Sequence, residues 1–335
     1  MSNISFGDRA LAFQHMRHNT LQKETIQRLS EELASGKRAD LAKSLLGDYT
    51  PLTRIDHATT TLQAFRTTTA EAGLFTDAMQ QALGRIQQDA ATSANALLHA
   101  GSTQTPELVQ TASREAAAAF STGVSALNAQ IGGRSLFAGR ARDMPALAPA
   151  EDMLAALDAV IAAETTVSGM IGAIDSWFDD PGGGFATMGY RGSPQLMSGF
   201  PIADSELAQI TLTAESAEIR DTLKGLAMGA MISRGAFAGD LTAQAEVLHR
   251  AGEHLLGADH GLTHARAGLG IVENQIEAAA IRNDAETSAL KIARSDLVGA
   301  DPYRTASDLI AAQTQLEMLY TLTTRLSRMT LADYL

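Results

Sequence analysis

Counting by sevens from Leu248 gives Leu248, Leu255, Leu262, Leu269, Ile276, Asn283, Leu290 and Leu297. Three residues after each of the first seven stand Ala251, Ala258, Ala265, Val272, Ala279, Glu286 and Ala293. Across both series only Asn283 and Glu286 are polar. A period of seven sustained this long predicts one long α-helix with a left-handed supercoiling tendency. Fifty residues of helix extend roughly 75 Å, so the seam needs partner helices along its length. Layers of leucine and alanine let those partners come close. Gly257, Gly261, Gly268 and Gly270 are expected to interrupt or bend the first half. A polar residue within a seam can fix register or partner choice. Asn283→Leu is therefore expected to raise stability if position 283 is buried, and to change nothing if the seam turns outward there.

The N-terminal half supplies a matching seam. Leu62, Phe65, Ala72, Met79, Leu83, Ile86, Ala90 and Leu97 follow a 3–4 rhythm, with Thr69, Thr76 and Ser93 in the remaining slots. Ile26, Leu29 and Leu33 continue it towards the start and stop at Gly36. At the other end the rhythm is Leu309, Ala312, Leu316, Leu319, Thr323, Leu326 and Thr330, running almost to Leu335. Asp301 and Pro302 are the expected N-cap and first helical residue. AGSTQTP (100–106) reads as a helix end and turn. A further helix is expected through Ala116, Phe120, Val124, Leu127 and Ile131, ending at Gly132-Gly133.

The middle changes character. Residues 150–177 read as helical, DDPGGG (179–184) as a turn, and Phe185 to Ala214 as short strands such as QITLTA; helix returns over Glu215–Ile232. The expected fold class is mainly α: a long antiparallel helical bundle or coiled-coil rod from both chain ends, with a small mixed α/β central insertion. The expected segments are 1–55 (N-terminal inner-core helix), 56–140 (N-terminal half of the rod), 141–240 (insertion), 241–299 (C-terminal half of the rod) and 300–335 (C-terminal inner-core helix). Leu83, Ile86, Leu269, Val272, Ile276 and Leu290 are the expected rod seam. Ile26, Leu29, Leu33, Leu309, Leu316, Leu319 and Leu326 are the expected assembly interface. A lone helix of the terminal kind is marginal in water, so its ordering is expected to accompany burial against neighbouring molecules.

Composition agrees with slender helices packed side by side. Hydrophobic residues make up 45% of the chain but aromatics only 5%, with Trp177 the single tryptophan. There is no cysteine, which excludes disulfides and thiolate metal sites; this fits a cytosolic protein. The net charge is −12, which argues against nucleic acid or an anionic membrane as the main partner. Residues 1–54 carry eight Lys/Arg against six Asp/Glu, and residues 302–335 carry three of each, so the negative charge lies between the two ends. No apolar run reaches the length of a membrane span. The first twenty residues lack an apolar signal-peptide core, so a secreted fate is expected to use another route.

No catalytic set can be assembled. His249, His254, His260 and His264 are the densest histidine group, and His260 and His264 share a helix face. The H-E-x-x-H arrangement is absent, and a solvated helix accounts for the group. DDPGGG lacks the Gly-Lys-Ser/Thr ending of a phosphate loop, and no G-x-S-x-G elbow occurs. No enzyme activity, cofactor or metal is expected. Trp177 and Phe178 are the expected core of the insertion, and Leu136 and Phe137 the anchors of the loop after Gly133. A helical signalling rod would share the heptads but should carry a membrane anchor or signalling tip, and neither is visible.

Three stretches carry a resemblance. RLSEELASGKRAD (28–40) resembles the "LS…L-S/T-G-K/R" signature of the bacterial flagellin family, and TTRLSRMTLADYL (323–335) resembles that family's C-terminal element. GGRSLFAGR (132–140) resembles the G-R-x-L-F-x-G stretch of its hook–filament junction branch, hook-associated protein 3. The resemblance covers roughly 1–140 and 240–335. ADLAKSLLGDYTPL (39–52) departs from it, standing where the family often has Asp-Asp-Pro. The resemblance implies an extracellular structural protein of the flagellum whose terminal helices form the inner core and whose insertion faces outward. It implies export without a cleaved signal peptide through the flagellar type III apparatus. The partners implied are further copies of the chain, flagellin, hook-associated protein 1 and an export chaperone. The filament subunit, flagellin itself, is the neighbouring alternative.

Overall fold

The computed structural model describes the backbone of residues 6–332 and the side chains of residue 10 and residues 13–325. The fold is mainly α. In chain order the elements are α1 (Phe6–Ser35), α2 (Leu41–Ser44), α3 (Thr50–Thr103), α4 (Pro106–Leu127), β1 (Gln130–Ile131), β2 (Arg134–Ser135), α5 (Ala150–Ile161) and α6 (Val167–Asp179). A π-helical turn (Phe185–Gly189) follows, then β3 (Phe200–Ala203), β4 (Glu206–Ala208), α7 (Ala217–Ala230), α8 (Leu241–Val298) and α9 (Pro302–Ala332). The chain forms two compact units, one of residues Met1–Leu62 with Ala285–Leu335, the other of Gln63–Asp284.

In the second unit α3 and α8 run antiparallel. Gln87 Nε2 donates to Asp259 Oδ1 at 2.7 Å, Gln80 Nε2 to the Arg266 carbonyl at 2.9 Å, and Gly101 lies against Ala245 and His249. Leu248, Leu255, Leu262, Leu269, Ile276, Asn283 and Ala279 are all buried, as are Met79, Leu83, Ile86, Ala90 and Leu97 on the facing helix. Thr69, Thr76 and Ser93 occupy seam slots and are buried too. The threonine hydroxyls donate to the carbonyls four residues back, Phe65 at 2.9 Å and Ala72 at 3.1 Å. A hydroxyl satisfied within its own turn can sit in an apolar seam without an unpaired donor.

Gly257, Gly261, Gly268 and Gly270 do not interrupt α8. The helix is continuous from Leu241 to Val298, because tertiary packing outweighs roughly 1 kcal/mol of lost propensity per glycine. Close approach does call for glycine at other positions, Gly101 on α3 and Gly252 on α8 among them. A Cβ at Gly101 would lie 2.8 Å from the Ala245 carbonyl oxygen, and one at Gly252 would lie 2.7 Å from the Leu98 side chain.

α4 and α7 pack on this pair. Gly123 faces Ile86 and Leu223, Gly225 faces Leu255, and Gly229 faces Leu97 and Ala116. Ser113 Oγ donates to the Gly229 carbonyl at 2.6 Å and accepts from Ser233 N at 2.7 Å. α6 is fastened to α7 by Lys224, whose buried ammonium lies 2.7 Å from Asp179, 3.3 Å from Asp175 and 3.5 Å from Asp221. Trp177, Phe178 and Phe185 form an aromatic cluster in the core, with Trp177 edge-on to Phe178 at 4.7 Å.

Two expectations for the loops are corrected. The helix through Phe120 and Val124 ends at Leu127, and Gly132-Gly133 is the turn of a β-hairpin pairing Gln130 with Ser135 and Ile131 with Arg134. Both glycines have positive φ, +58° and +77°, the combination that a two-residue hairpin turn needs. QITLTA is not a strand; the strands are β3 and β4, paired antiparallel just before it. Residues 209–214 have no ladder partner and are tied instead by Ala214 N to the Phe137 carbonyl at 2.9 Å.

Candidate assembly surface

The first unit brings the two expected end seams together. α1 ends at Ser35 because Gly36 takes a left-handed φ of +66°, which closes a helix C-terminus. α9 begins where Asp301 Oδ1 accepts from Tyr303 N at 2.9 Å and Arg304 N at 3.2 Å. Ala300 N donates to the Gly36 carbonyl at 3.0 Å, and Arg38 N to the Val298 carbonyl at 2.9 Å. Buried Glu32 takes Arg28 Nη1 at 3.0 Å and Ala39 N at 3.1 Å on one carboxylate oxygen. From this clasp the helices run antiparallel, with Gln22 Nε2 donating to Gln315 Oε1 at 2.7 Å. Further along, hydrogen bonds from Lys23 and then Asn19 hold the exposed Tyr320 phenol below its ordinary pKa.

The expected interface residues fall unequally on this pair. Leu29 and Ala312 are buried; Ile26, Leu309, Leu316 and Leu319 are half-buried; Leu33 is exposed. Leu326 belongs to α9, but its side chain lies outside the described residues, as does that of Thr330; residues 333–335 of the C-terminal motif lie outside them altogether. Of the rod seam, Leu83, Ile86, Leu269 and Ile276 are buried, while Val272 and Leu290 are half-buried.

Sequence reasoning missed the backs of the two helices. Tyr303 is 89% exposed and Ile310 63%, and Met318 is exposed beyond them; on α1, Phe13 is 65% exposed and Met16 lies beside it. Tyr303, Ile310 and Met318 recur at spacings of seven and eight, opposite the Leu309–Leu316 seam. That second stripe is written in the sequence as a period too, on a different face from the first. A groove of about 410 Å³ opens beside the pair, with Ile26, Ser30 and Ala34 along α1 and Leu316 on α9.

Asn283 is the seam position where the expectation needs its physical reason restated. It is buried, and its Nδ2 donates to the Ile202 carbonyl at 2.7 Å. Ile202 is the residue skipped between the Pro201 and Ala203 pairings of β3 with β4, so its carbonyl stands outside that ladder. The hairpin is held to α8 further by Arg282 Nη2 on Glu206 Oε2 at 2.6 Å. GGRSLFAGR is a clasp of the same kind. Arg134 pairs with Glu71 and lies 5.9 Å and 5.7 Å from the ring centroids of Phe75 and Phe200, while Leu136 and Phe137 are buried.

The histidines do not converge. His254 Nε2 is 3.1 Å from the Asp221 carbonyl, and His249 pairs with Glu253 at 3.4 Å. Among the described residues no three His, Cys, Asp or Glu side chains are grouped as metal ligands, and no helix is long and apolar enough to cross a membrane.

No curated protein matches the chain. Residues 255–335 match the family model described as the bacterial flagellin C-terminal helical region, so the stretch from Leu255 in α8 through α9 is similar to that region of the flagellins.

Proposed function

We propose that the protein is a structural subunit of the bacterial flagellum, flagellin-like, that forms the junction between hook and filament and adapts one helical lattice to the other. It is exported and extracellular, carries no catalytic site and works by assembly. Its partners are further copies of the chain, flagellin, hook-associated protein 1 and an export chaperone. Residues 1–55 and 300–335 are its inner-core helices, 56–140 and 241–299 the two halves of its rod, and 141–240 an outward insertion. The observation that carries this reading is the α1–α9 pair: two long helices within and beside the matched stretch, joined along one face and exposing large apolar side chains on the others. Apolar area of that extent and periodicity marks an interaction surface. GGRSLFAGR supports the junction role within the family.

The filament subunit is the second reading, favoured by the family match, whose description is flagellin. Immunolabelling of isolated flagella separates the two. The junction reading expects signal confined to the hook–filament boundary, and label along the filament overturns it. A deletion strain should make hooks without filaments and release flagellin to the medium. Removing 310–335 should abolish incorporation while leaving the Gln63–Asp284 unit folded; filaments restored by the truncated chain would sink the assignment of those residues.

A further inference from the structure

The segment after α1 departs from the flagellin-like pattern, and it holds the most exposed large apolar residue among those described. Leu46 is 94% exposed, with a left-handed φ of +51° that branched side chains rarely adopt. The turn that presents it is fixed on both sides. Asp40 Oδ1 caps α2 through Lys43 N at 3.0 Å, Gly47 N donates to the Ala42 carbonyl at 2.9 Å, Asp48 N to the Leu45 carbonyl at 2.9 Å, and Arg38 holds Ser44. Leu46 is therefore a held projection, flanked by one positive and one negative side chain, Lys43 and Asp48.

The groove beside α1 and α9 has the complementary sequence of charges. Its floor is Ile26, Ser30, Ala34 and Leu316, with Lys23 at one end and Glu31 towards the other. Eight residues of helix separate those two charges by about 12 Å. None of Lys43, Asp48, Lys23 and Glu31 is in an ion pair among the described residues. We infer that the Leu46 turn of one copy seats in this groove of a second copy, with Leu46 against Ile26 and Leu316, Lys43 facing Glu31, and Asp48 facing Lys23. The inference rests on the reading above that copies of the chain assemble, and it names the contact they make.

The absence of cysteine makes the test direct. Leu46→Cys and Ser30→Cys single variants are co-expressed, and flagella isolated from those cells are oxidised. A disulfide needs Cα atoms within about 7 Å, so a Leu46→Cys/Ser30→Cys dimer should form at least about tenfold more than a Leu46→Cys/Ser307→Cys dimer. Ser307 is exposed nine residues before Leu316, half a turn round α9 from it. Glu31→Lys should lower the dimer yield about two- to fivefold, the range of an exposed ion pair, and Lys43→Glu in the other copy should restore it. If the chain is present in flagella and the two dimers form equally, the contact is wrong while the flagellar reading stands. If the chain is absent from flagella, both fall together.

Discussion

The α3–α8 pair and the α1–α9 pair are built on the same spacing of apolar residues, yet they bury it to different depths. In the first, Met79, Leu83, Leu97, Leu248 and Leu262 are essentially sealed, because α4 and α7 pack on the pair and close it. In the second, Leu309, Leu316 and Leu319 are half-buried, and Tyr303, Ile310 and Phe13 stand in the open. Two helices alone cover one stripe on each partner. A seam becomes a core when a third layer closes it, as α4 and α7 do in the second unit. The expectation is that the α3–α8 pair stores the fold's stability, and that the α1–α9 pair stores the free energy of assembly.

The largest effect expected from that contrast is Phe120→Ala. Phe120 is fully buried where α4 meets the core, and truncating such a ring costs about 3–5 kcal/mol. The denaturant midpoint of the isolated chain should fall accordingly. A loss under 1 kcal/mol would mean that the layer over α3–α8 is not what closes it.

Alkaline pH gives the next effect. Burial pushes the Tyr190 phenol up to about 12, its hydroxyl donating to the Ser193 carbonyl at 2.9 Å. In the unfolded chain the phenol ionises near 10. The folded form therefore holds the proton longer, so its stabilising contribution is complete below pH 10 and is lost as pH rises towards 12, by about 2–3 kcal/mol in all. Absorbance titration should show one late-ionising tyrosine, and Tyr190→Phe should remove that step and flatten the alkaline fall in stability.

Asn283→Leu tests how a seam read from sequence can mislead. On the period alone the change fills a polar gap with leucine and raises stability. With the Ile202 carbonyl bonded to Asn283 Nδ2, it leaves a buried acceptor unpaired, which costs about 1–3 kcal/mol, offset in part by leucine burial. A net loss of about 1 kcal/mol is expected in urea unfolding, and a gain would restore the simpler reading.

What the sequence could and could not reveal follows from where each decision is made. The α3–α8 seam was legible because a seven-residue period is written along one chain, and it holds through Thr69, Thr76 and Asn283. Capping at Asp301 and closure at Gly36 were legible because they are local chemistry. Gly132-Gly133 was ambiguous, since adjacent glycines suit both a helix end and a hairpin turn. Deciding between them needs the pairing of Gln130 with Ser135. QITLTA has a strand's alternation but no neighbouring backbone to ladder with. For the assembly surface, the Leu309–Leu316 line was visible as a period. The Leu46 projection was not, because it depends on a left-handed backbone that no residue pattern in 39–49 announces.

The smallest expected stability effect is also the most discriminating. Leu316 is half-buried on the floor of an open groove. Truncating it to alanine removes little area that the isolated chain has taken from water, so about 0.5–1 kcal/mol should be lost in the monomer. If the groove is an interface, the same methyl groups become fully buried on assembly, and incorporation into flagella should fall by far more than monomer stability does. A buried core leucine such as Leu83 should behave the opposite way, with a large loss of monomer stability and an assembly defect no greater than the unfolded fraction explains. Measuring both variants by urea unfolding and by yield in isolated flagella puts the two helix pairs on one plot. Equal ratios for Leu316→Ala and Leu83→Ala would erase the distinction between a seam closed within the chain and a seam left for its neighbours.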